Sequence, residues 1–329
     1  MSRIMPSQKP NACQRAMIDR KYGMFIHFGI NTFNDTEWSD GTLPVSSYNP
    51  TALDVESWIK NAYECGMKYV IMITKHHDGF CMWDTDTTDY CVNKSPNKTD
   101  IILEARKACD KFGIKLGLYY SLWDRHEKCY ENDSEYTQYM LKHLRELLSG
   151  KYGEICELWL DGGWEKSNDQ WNIEEIYNTV KELQPQCAVT SNLTIGKFNS
   201  IGTDESTQTP KPQEYEENQP MRYFPADFRL YDPYFTREDD PKIYQHEGES
   251  YYLPFEATIC IRDMRNWFWD PNYLNDPICS KEFIIDKYKL LTEHDNCLVI
   301  NVAPNTEGKQ EESDLEVLRE VAKELNIIG

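Results

Sequence analysis

Predicted strands and helices alternate along the first half of the chain, and this alternation limits the possible folds more than any other feature. Apolar runs that indicate buried strands are separated by segments whose apolar residues recur at helical spacing. This order is typical of a parallel sheet covered by helices. The strands are predicted at 22–27, 68–74, 115–120 and 155–160, and the helices at 53–65, 100–112, 134–148 and 173–183.

The pattern weakens after Ala188 and returns near residue 255. Short strands are predicted at 188–190 and near Ile201, followed by a loop over 203–252 that is rich in Pro, Glu, Asp and Tyr; a loop this long usually carries function. Further strands at 255–261 and 297–302 and helices at 281–293 and 313–325 complete eight strand candidates. We therefore expect one (β/α)8-like TIM barrel over 1–329, irregular in its second half and without a C-terminal β-sandwich.

Composition excludes several classes of partner. The formal net charge of −20 argues against nucleic acid and anionic membranes as partners. No segment approaches the roughly 20 apolar residues of a membrane helix, and the N-terminus lacks the apolar core of a signal peptide. Eleven cysteines without a Cys-x-x-Cys pair indicate reduced thiols, so a cytoplasmic location is expected.

Polar and aromatic side chains cluster where the predicted strands end. The segment Lys75-His-His-Asp-Gly-Phe-Cys-Met-Trp-Asp84 directly follows an apolar strand, and His27 and Tyr120 end two others. Chemistry in an α/β barrel lies at these C-terminal strand ends. Imidazoles beside aromatic rings offer hydrogen bonds together with flat apolar surfaces, and a sugar ring requires both.

Carboxyl groups at strand ends are candidates for glycoside hydrolysis, which needs two of them about 5–5.5 Å apart for retention or about 6.5–9.5 Å apart for inversion. Asp161 lies at the tip of a strand, precedes two glycines and shares its face with Trp159. Asp161 could equally cap the following turn. The candidate for the second carboxyl group is Glu205, which follows a short predicted strand. The alternatives are Asp204, Glu214, Glu216, Glu217 and Glu256.

Metal and phosphate chemistry have weaker support. His76 and Asp78 would share a face if their segment stayed extended, which leaves a metal-dependent hydrolase as an alternative. A third ligand at a fixed spacing is not evident, and no glycine-rich phosphate loop occurs.

The motifs together resemble the α-L-fucosidases of glycoside hydrolase family 29, in family order and over nearly the whole chain. The resemblance rests on segments 21–29, 37–38, 68–70, 75–80, 117–121, 158–162 and 298–304. Segments 121–125, 252–256 and 266–269 are similar to the subfamily that acts on α-1,3/1,4-linked fucose.

The resemblance implies a retaining exo-α-L-fucosidase that needs neither metal nor cofactor and acts on fucosylated oligosaccharides. Asp161 matches the nucleophile and Glu205 best matches the acid/base. The residues that match the lining of the fucose pocket are His27, Glu37, Trp38, His76, His77, Tyr120 and Trp159, with Glu256 and Trp267 in the site wall. Two alternatives are a barrel that binds fucose without turnover and a fucosidase with broader linkage preference, for α-1,2 or aryl fucosides.

Overall fold

An eight-stranded parallel sheet forms the frame of the protein. The structure, a computed structural model, describes residues 4–196, 211–212, 215–232, 234–262 and 267–328. The strands of the sheet are β1 (Tyr22–Ile26), β2 (Tyr69–Lys75), β3 (Lys115–Ser121), β4 (Ile155–Asp161), β5 (Ala188–Ser191), β6 (Arg229–Leu230), β7 (Phe255–Cys260) and β8 (Cys297–Asn301). Their order in the sheet is β5-β4-β3-β2-β1-β8-β7-β6.

The first and last strands of this order meet, so the sheet is nearly closed into a barrel. The Asp227 backbone N–H donates to the Val189 carbonyl (2.8 Å), and the Val189 N–H donates to the Asp227 carboxylate (2.8 Å). These bonds join β5 to the chain just before β6. The predicted (β/α)8-like architecture is confirmed.

The sequence pattern did not predict the sixth strand of the barrel that the structure describes. Ile201 lies outside the described residues, whereas β6 is the two-residue segment Arg229–Leu230. Two residues are too few to show the alternation or the apolar run by which strands are recognised. The irregular second half also contains a hairpin, Ile243–His246 with Glu249–Tyr252.

Seven α-helices within the described ranges flank the sheet. They are α1 (Ala12–Arg20), α2 (Val55–Glu64), α3 (Ile101–Phe112), α4 (Asp133–Leu148), α5 (Ile173–Leu183), α6 (Lys281–Glu293) and α7 (Glu312–Leu325). The N-cap of α4 is Asn132, whose side chain accepts the Glu135 N–H. Of the helices that the structure describes, none has the length and apolar character needed to cross a bilayer.

Aromatic rings fill the barrel below the C-terminal ends of the strands. The rings of Tyr119 and Trp159 stack with their centroids 5.3 Å apart, and Phe25 packs 5.5 Å from Trp159 and 5.7 Å from Tyr119. All three side chains are buried. All three rings line the space at the C-terminal ends of the strands.

Candidate active site

A pocket opens at the C-terminal ends of the strands, with a cavity volume of about 480 Å³ including the part open to solvent. The structure brings together there many of the residues predicted from the sequence, namely His27, Glu37, Trp38, His76, His77, Trp159, Asp161 and Trp267. Phe25, Tyr119, Trp164 and Asp232 complete the lining.

Asp161, the last residue of β4, is held in one orientation at the base of the pocket. Its Oδ2 accepts the Tyr119 hydroxyl (2.7 Å) and its Oδ1 accepts the Asn192 amide (3.1 Å). Burial raises the pKa of Asp161, while these two bonds and the Gly162 N–H oppose the rise. Both oxygens of Asp161 are therefore held in place as hydrogen-bond acceptors, which suits an ionised carboxylate.

Gly162 explains why the chain can turn sharply beside this carboxylate. Its φ is +74°, and a Cβ atom there would lie 2.7 Å from the Cβ of Trp123. Both the left-handed backbone and the close approach require glycine. The turn thus explains Gly162, whereas Gly163 is explained by the Tyr223 hydroxyl, which would lie 2.5 Å from a Cβ atom there.

His27 presents a neutral imidazole to the pocket. Asn301 donates its amide to the Trp267 carbonyl (2.8 Å), so its Oδ1 faces the ring and accepts from Nδ1 of His27 (2.9 Å). Burial lowers the pKa of His27 to about 3. The Nε2 atom is consequently left as an acceptor.

The two adjacent histidines are likewise neutral. Nδ1 of His77 lies 2.6 Å from Oγ of Ser121, and that hydroxyl itself donates to the Trp123 carbonyl (2.8 Å). The ring nitrogen is therefore the donor, and Nε2 of His77 faces Asp161 Oδ2 at 3.7 Å. Burial lowers the pKa of both His76 and His77. Nδ1 of His76 is buried without a hydrogen-bond partner.

Glu37 joins the loop after β1 to the loop after β7. Its Oε2 accepts the backbone N–H groups of Trp267 (2.9 Å) and Phe268 (3.3 Å), whereas Oε1 is buried without a partner. Burial raises the pKa of Glu37 to about 8. The carboxyl group is therefore mainly protonated at neutral pH, when it can both donate and accept.

Indole rings form the walls and the rim. Trp159 is buried, and its Nε1–H has no partner. Trp38 is 43% exposed and stacks against Trp164 with ring centroids 6.3 Å apart. Trp267 packs 5.3 Å from the ring of His27. The pocket thus combines apolar walls with donors and acceptors that no group among the described residues satisfies.

Tyr120 is not in the pocket, contrary to the prediction. Its side chain lies on the outer face of the barrel, where its hydroxyl is hydrogen bonded to Nδ1 of His143 on α4 (2.9 Å). Neighbouring residues of a strand point to opposite faces. Tyr119 therefore takes the place in the pocket that the prediction gave to Tyr120.

Glu256 is also misplaced by the prediction. It is the second residue of β7 and pairs with Cys297, the first residue of β8, at the end of the barrel opposite the pocket. There it accepts the Tyr69 hydroxyl (2.7 Å), near the ion pair of Arg20 and Glu157. A site wall at the C-terminal strand ends cannot include this carboxyl group.

The predicted acid/base lies outside the part of the chain that the structure describes. This holds for Glu205 and for its alternative Asp204. Their positions relative to Asp161 therefore stay predictions.

Three polar residues near Asp161 were missed from the sequence. Tyr119 could have been found from the alternation of side chains along its strand, given that Trp159 and Asp161 point inward. Asn192 and Asp232 follow β5 and β6 at the same edge of the barrel, but both strands are short. The Asn192 amide donates to the carboxylates of Asp161 and Asp232.

His76 and Asp78 are the candidate metal ligands from the sequence, and Nδ1 of His76 lies 3.9 Å from Oδ2 of Asp78. Within the ranges that the structure describes, no three His, Cys, Asp or Glu side chains are grouped so that they could hold a metal ion.

A parallel barrel whose open end holds a fixed carboxylate among imidazoles and indoles is typical of the glycoside hydrolase class. The chain belongs to the alpha-L-fucosidase family, because the sequence model of that family matches residues 34–329. It is 33% identical to alpha-L-fucosidase 1 of Arabidopsis thaliana over 93% of this chain and 58% of that protein. The match to a relative from rice covers 55% of that protein. The chain therefore spans a little over half the length of these curated relatives.

Solved structures give the same family and fold. A glycoside hydrolase 29 family member from an unknown rumen bacterium matches with a TM-score of 0.77 and 25% identity over 96% of this chain and 57% of that one. Alpha-L-fucosidase isoenzyme 1 from Paenibacillus thiaminolyticus matches with a TM-score of 0.71 and 25% identity, over 96% and 76% of the two chains.

Proposed function

We propose that this protein is a retaining exo-α-L-fucosidase. The observation that carries the proposal is Asp161, oriented by Tyr119 and Asn192 at the base of a pocket of imidazoles and indoles. A nucleophile must present one oxygen to the anomeric carbon in a fixed direction. Hydrogen bonds to both carboxylate oxygens provide that orientation.

The remaining lining suits a small sugar with several hydroxyls and one apolar face. Several polar groups of the pocket can form hydrogen bonds to the hydroxyl groups of a sugar. They are the neutral imidazoles, the unpartnered Oε1 of Glu37 and the unpartnered Nε1–H of Trp159. The indoles of Trp38 and Trp267 offer surface to the ring face and the C6 methyl group of fucose. Binding thereby satisfies polar atoms that would otherwise be buried without partners.

Hydrolysis would take two displacements. Asp161 attacks the anomeric carbon while a second carboxyl group protonates the departing oxygen, and the same group then deprotonates the water that hydrolyses the fucosyl-enzyme. From the sequence the candidate for this second group is Glu205.

For the substrate we propose α-1,3- or α-1,4-linked fucose on branched oligosaccharides. Support comes from the sequence segments around Trp123 and Trp267 that resemble the corresponding subfamily. Both segments border the site, because Trp123 packs 5.1 Å from the ring of His77 and Trp267 lines the pocket.

Proton NMR of a Lewis-type trisaccharide incubated with the protein tests the proposal. Fucose released first as the α-anomer supports the retaining mechanism and the linkage. Asp161→Ala should abolish release, whereas Asp89→Asn, at a side chain that is 92% exposed, should not change it. Normal fucose release by Asp161→Ala would refute the mechanism. A protein that binds fucose but releases none from the Lewis-type trisaccharide, an α-1,2-linked fucoside or an aryl fucoside would be a binding protein.

A further inference from the structure

We propose that Asp78 is a positioning residue that fixes the tautomer of His76 in the pocket. The inference rests on the proposed function for its ligand, fucose, and deepens that function by assigning the hydrogen-bonding role of one histidine. Asp78 is buried and does not line the pocket, whereas His76 does. Asp78 therefore acts through His76 and not on the ligand directly.

Two buried polar atoms face each other without a hydrogen bond. Nδ1 of His76 lies 3.9 Å from Oδ2 of Asp78, and neither atom has a hydrogen-bond partner among the described residues. A water molecule that bridged them would need a gap of about 4.5 Å, so no water fits between them. Because a buried polar atom without a partner is costly, each atom is the natural partner of the other. A shift of about 1 Å brings them to bonding distance.

The turn after β2 holds the carboxyl group of Asp78 and uses only one of its oxygens. Oδ1 accepts the Phe80 N–H (2.6 Å), which closes a turn of the kind that aspartate favours. Gly79 has a φ of +86°, and a Cβ atom there would lie 2.5 Å from Oδ1 of Asp124. The turn thus explains why Asp78 is held in place, but it gives no role to Oδ2.

The other two histidines of the pocket show what that role is. His27 and His77 each donate the hydrogen of Nδ1 to a side-chain oxygen outside the ligand space. The partner of one ring nitrogen decides which nitrogen carries the proton, so Nε2 of both rings is left as an acceptor. At Nδ1 of His76 the corresponding oxygen is Oδ2 of Asp78.

The charge states of the two side chains agree with this assignment. Burial raises the pKa of Asp78 to about 6, against the opposing effect of the Phe80 N–H, so the group is mainly ionised at neutral pH. Burial lowers the pKa of His76 well below its usual value, so the ring is neutral and carries one proton. A carboxylate can only accept, and it therefore holds that proton on the nitrogen that faces it.

The assignment defines what the pocket requires of its ligand. All three imidazoles then offer an acceptor nitrogen beside the carboxylate of Asp161. A sugar hydroxyl meets this requirement because it has a hydrogen to donate. If Nε2 of His76 carried the proton instead, its N–H would meet the hydrogen of that hydroxyl. The hydroxyl would have to rotate and give up a bond elsewhere.

The substitution Asp78→Asn reverses the polarity at Nδ1 of His76 with almost no change of shape. The amide oxygen can accept the Phe80 N–H as Oδ1 does, which leaves the NH2 group at the position of Oδ2. That group donates, so the proton of His76 should move to Nε2. Nitrogen-15 NMR distinguishes a protonated ring nitrogen from an unprotonated one. The spectrum of His76→Gln identifies the signals of His76 among the 7 histidines.

We expect the proton of His76 on Nδ1 in the wild type and on Nε2 in Asp78→Asn. The Kd for L-fucose in isothermal titration calorimetry should rise about 5- to 150-fold in the variant, the cost of one mismatched hydrogen bond. Asp40→Asn is the matched control, because exposed Asp40 closes a similar turn by accepting the Thr42 N–H (3.0 Å). This control should change neither the tautomer nor the Kd.

The inference is overturned if Nε2 carries the proton of His76 in the wild type, or if Asp78→Asn leaves either the tautomer or the Kd for fucose unchanged. The wild-type spectrum needs no variant at position 78, so it decides the tautomer even where Asp78→Asn fails to fold. A wild type that neither binds fucose nor releases it refutes the proposed function instead, and the spectra still decide the tautomer.

Discussion

Replacing Tyr119 by Phe removes one hydroxyl group from the environment of Asp161 and little else. The hydroxyl donates to Oδ2 of Asp161 at 2.7 Å, and the ring remains to stack on Trp159. The pocket should keep its shape and its fucose affinity. The variant should lose only the hydrogen bond that stabilises the ionised carboxylate of Asp161.

The size of the effect follows from the type of bond. A hydrogen bond to a charged group contributes about 1.5–3 kcal/mol, and each 1.4 kcal/mol is a factor of ten. We therefore expect kcat/KM to fall by up to about 10- to 150-fold on the acid side of the pH profile, where a smaller fraction of Asp161 is ionised. The bond favours the charged form, so its loss should raise the pKa of Asp161 and move the acid limb of the pH profile to higher pH.

The assay is the pH dependence of kcat/KM for an aryl α-L-fucoside, compared between Tyr119→Phe and Tyr120→Phe. The two variants lose the same atom at adjacent positions, but the Tyr120 hydroxyl is bonded to His143 outside the barrel. The second variant should keep the wild-type profile and lose only stability. An unchanged acid limb in Tyr119→Phe, or an equal shift in both variants, would refute the reasoning.

The further predictions concern the carboxyl groups of Glu37, Glu256 and Glu157. Folding raises the pKa of Glu37 from 4.5 to about 8, so the wild type should lose stability relative to Glu37→Gln as the pH rises from 4.5 to 8. We expect a loss on the order of 2 kcal/mol, because the residue is partly exposed. A difference between the two melting curves that does not depend on pH would contradict this. At the opposite end of the barrel burial and Glu157 raise the pKa of Glu256, so Glu256→Gln should cost less than about 1 kcal/mol in urea unfolding. Glu157→Gln strands the buried charge of Arg20 and should cost about 3–5 kcal/mol. Neither variant should change fucose release, and a selective loss of activity in Glu256→Gln would return that residue to the site.

Much of the barrel could be predicted from local patterns. Apolar runs located β1 to β4, β7 and β8 to within two residues, because a strand buried on both faces needs a continuous apolar run. The helix Ile173–Leu183 was predicted with its observed bounds. β6 could not be found, since a two-residue strand is defined by its neighbours β5 and β7 and not by its own sequence.

The sequence by itself determined the residue types of the site and their positions along the chain: histidines after β2, an aspartate at the tip of β4 and a tryptophan two residues before it. Tertiary structure alone decided which face of a strand looks inward and which end of the barrel is open. Tyr119 rather than Tyr120 contacts Asp161 because Tyr119 lies on the inward face of its strand. Glu256 lies far from the pocket because it is at the opposite end of the barrel. The meeting of Asp161, Asn192 and Asp232 depends on closure of the barrel between distant segments, which no local pattern encodes.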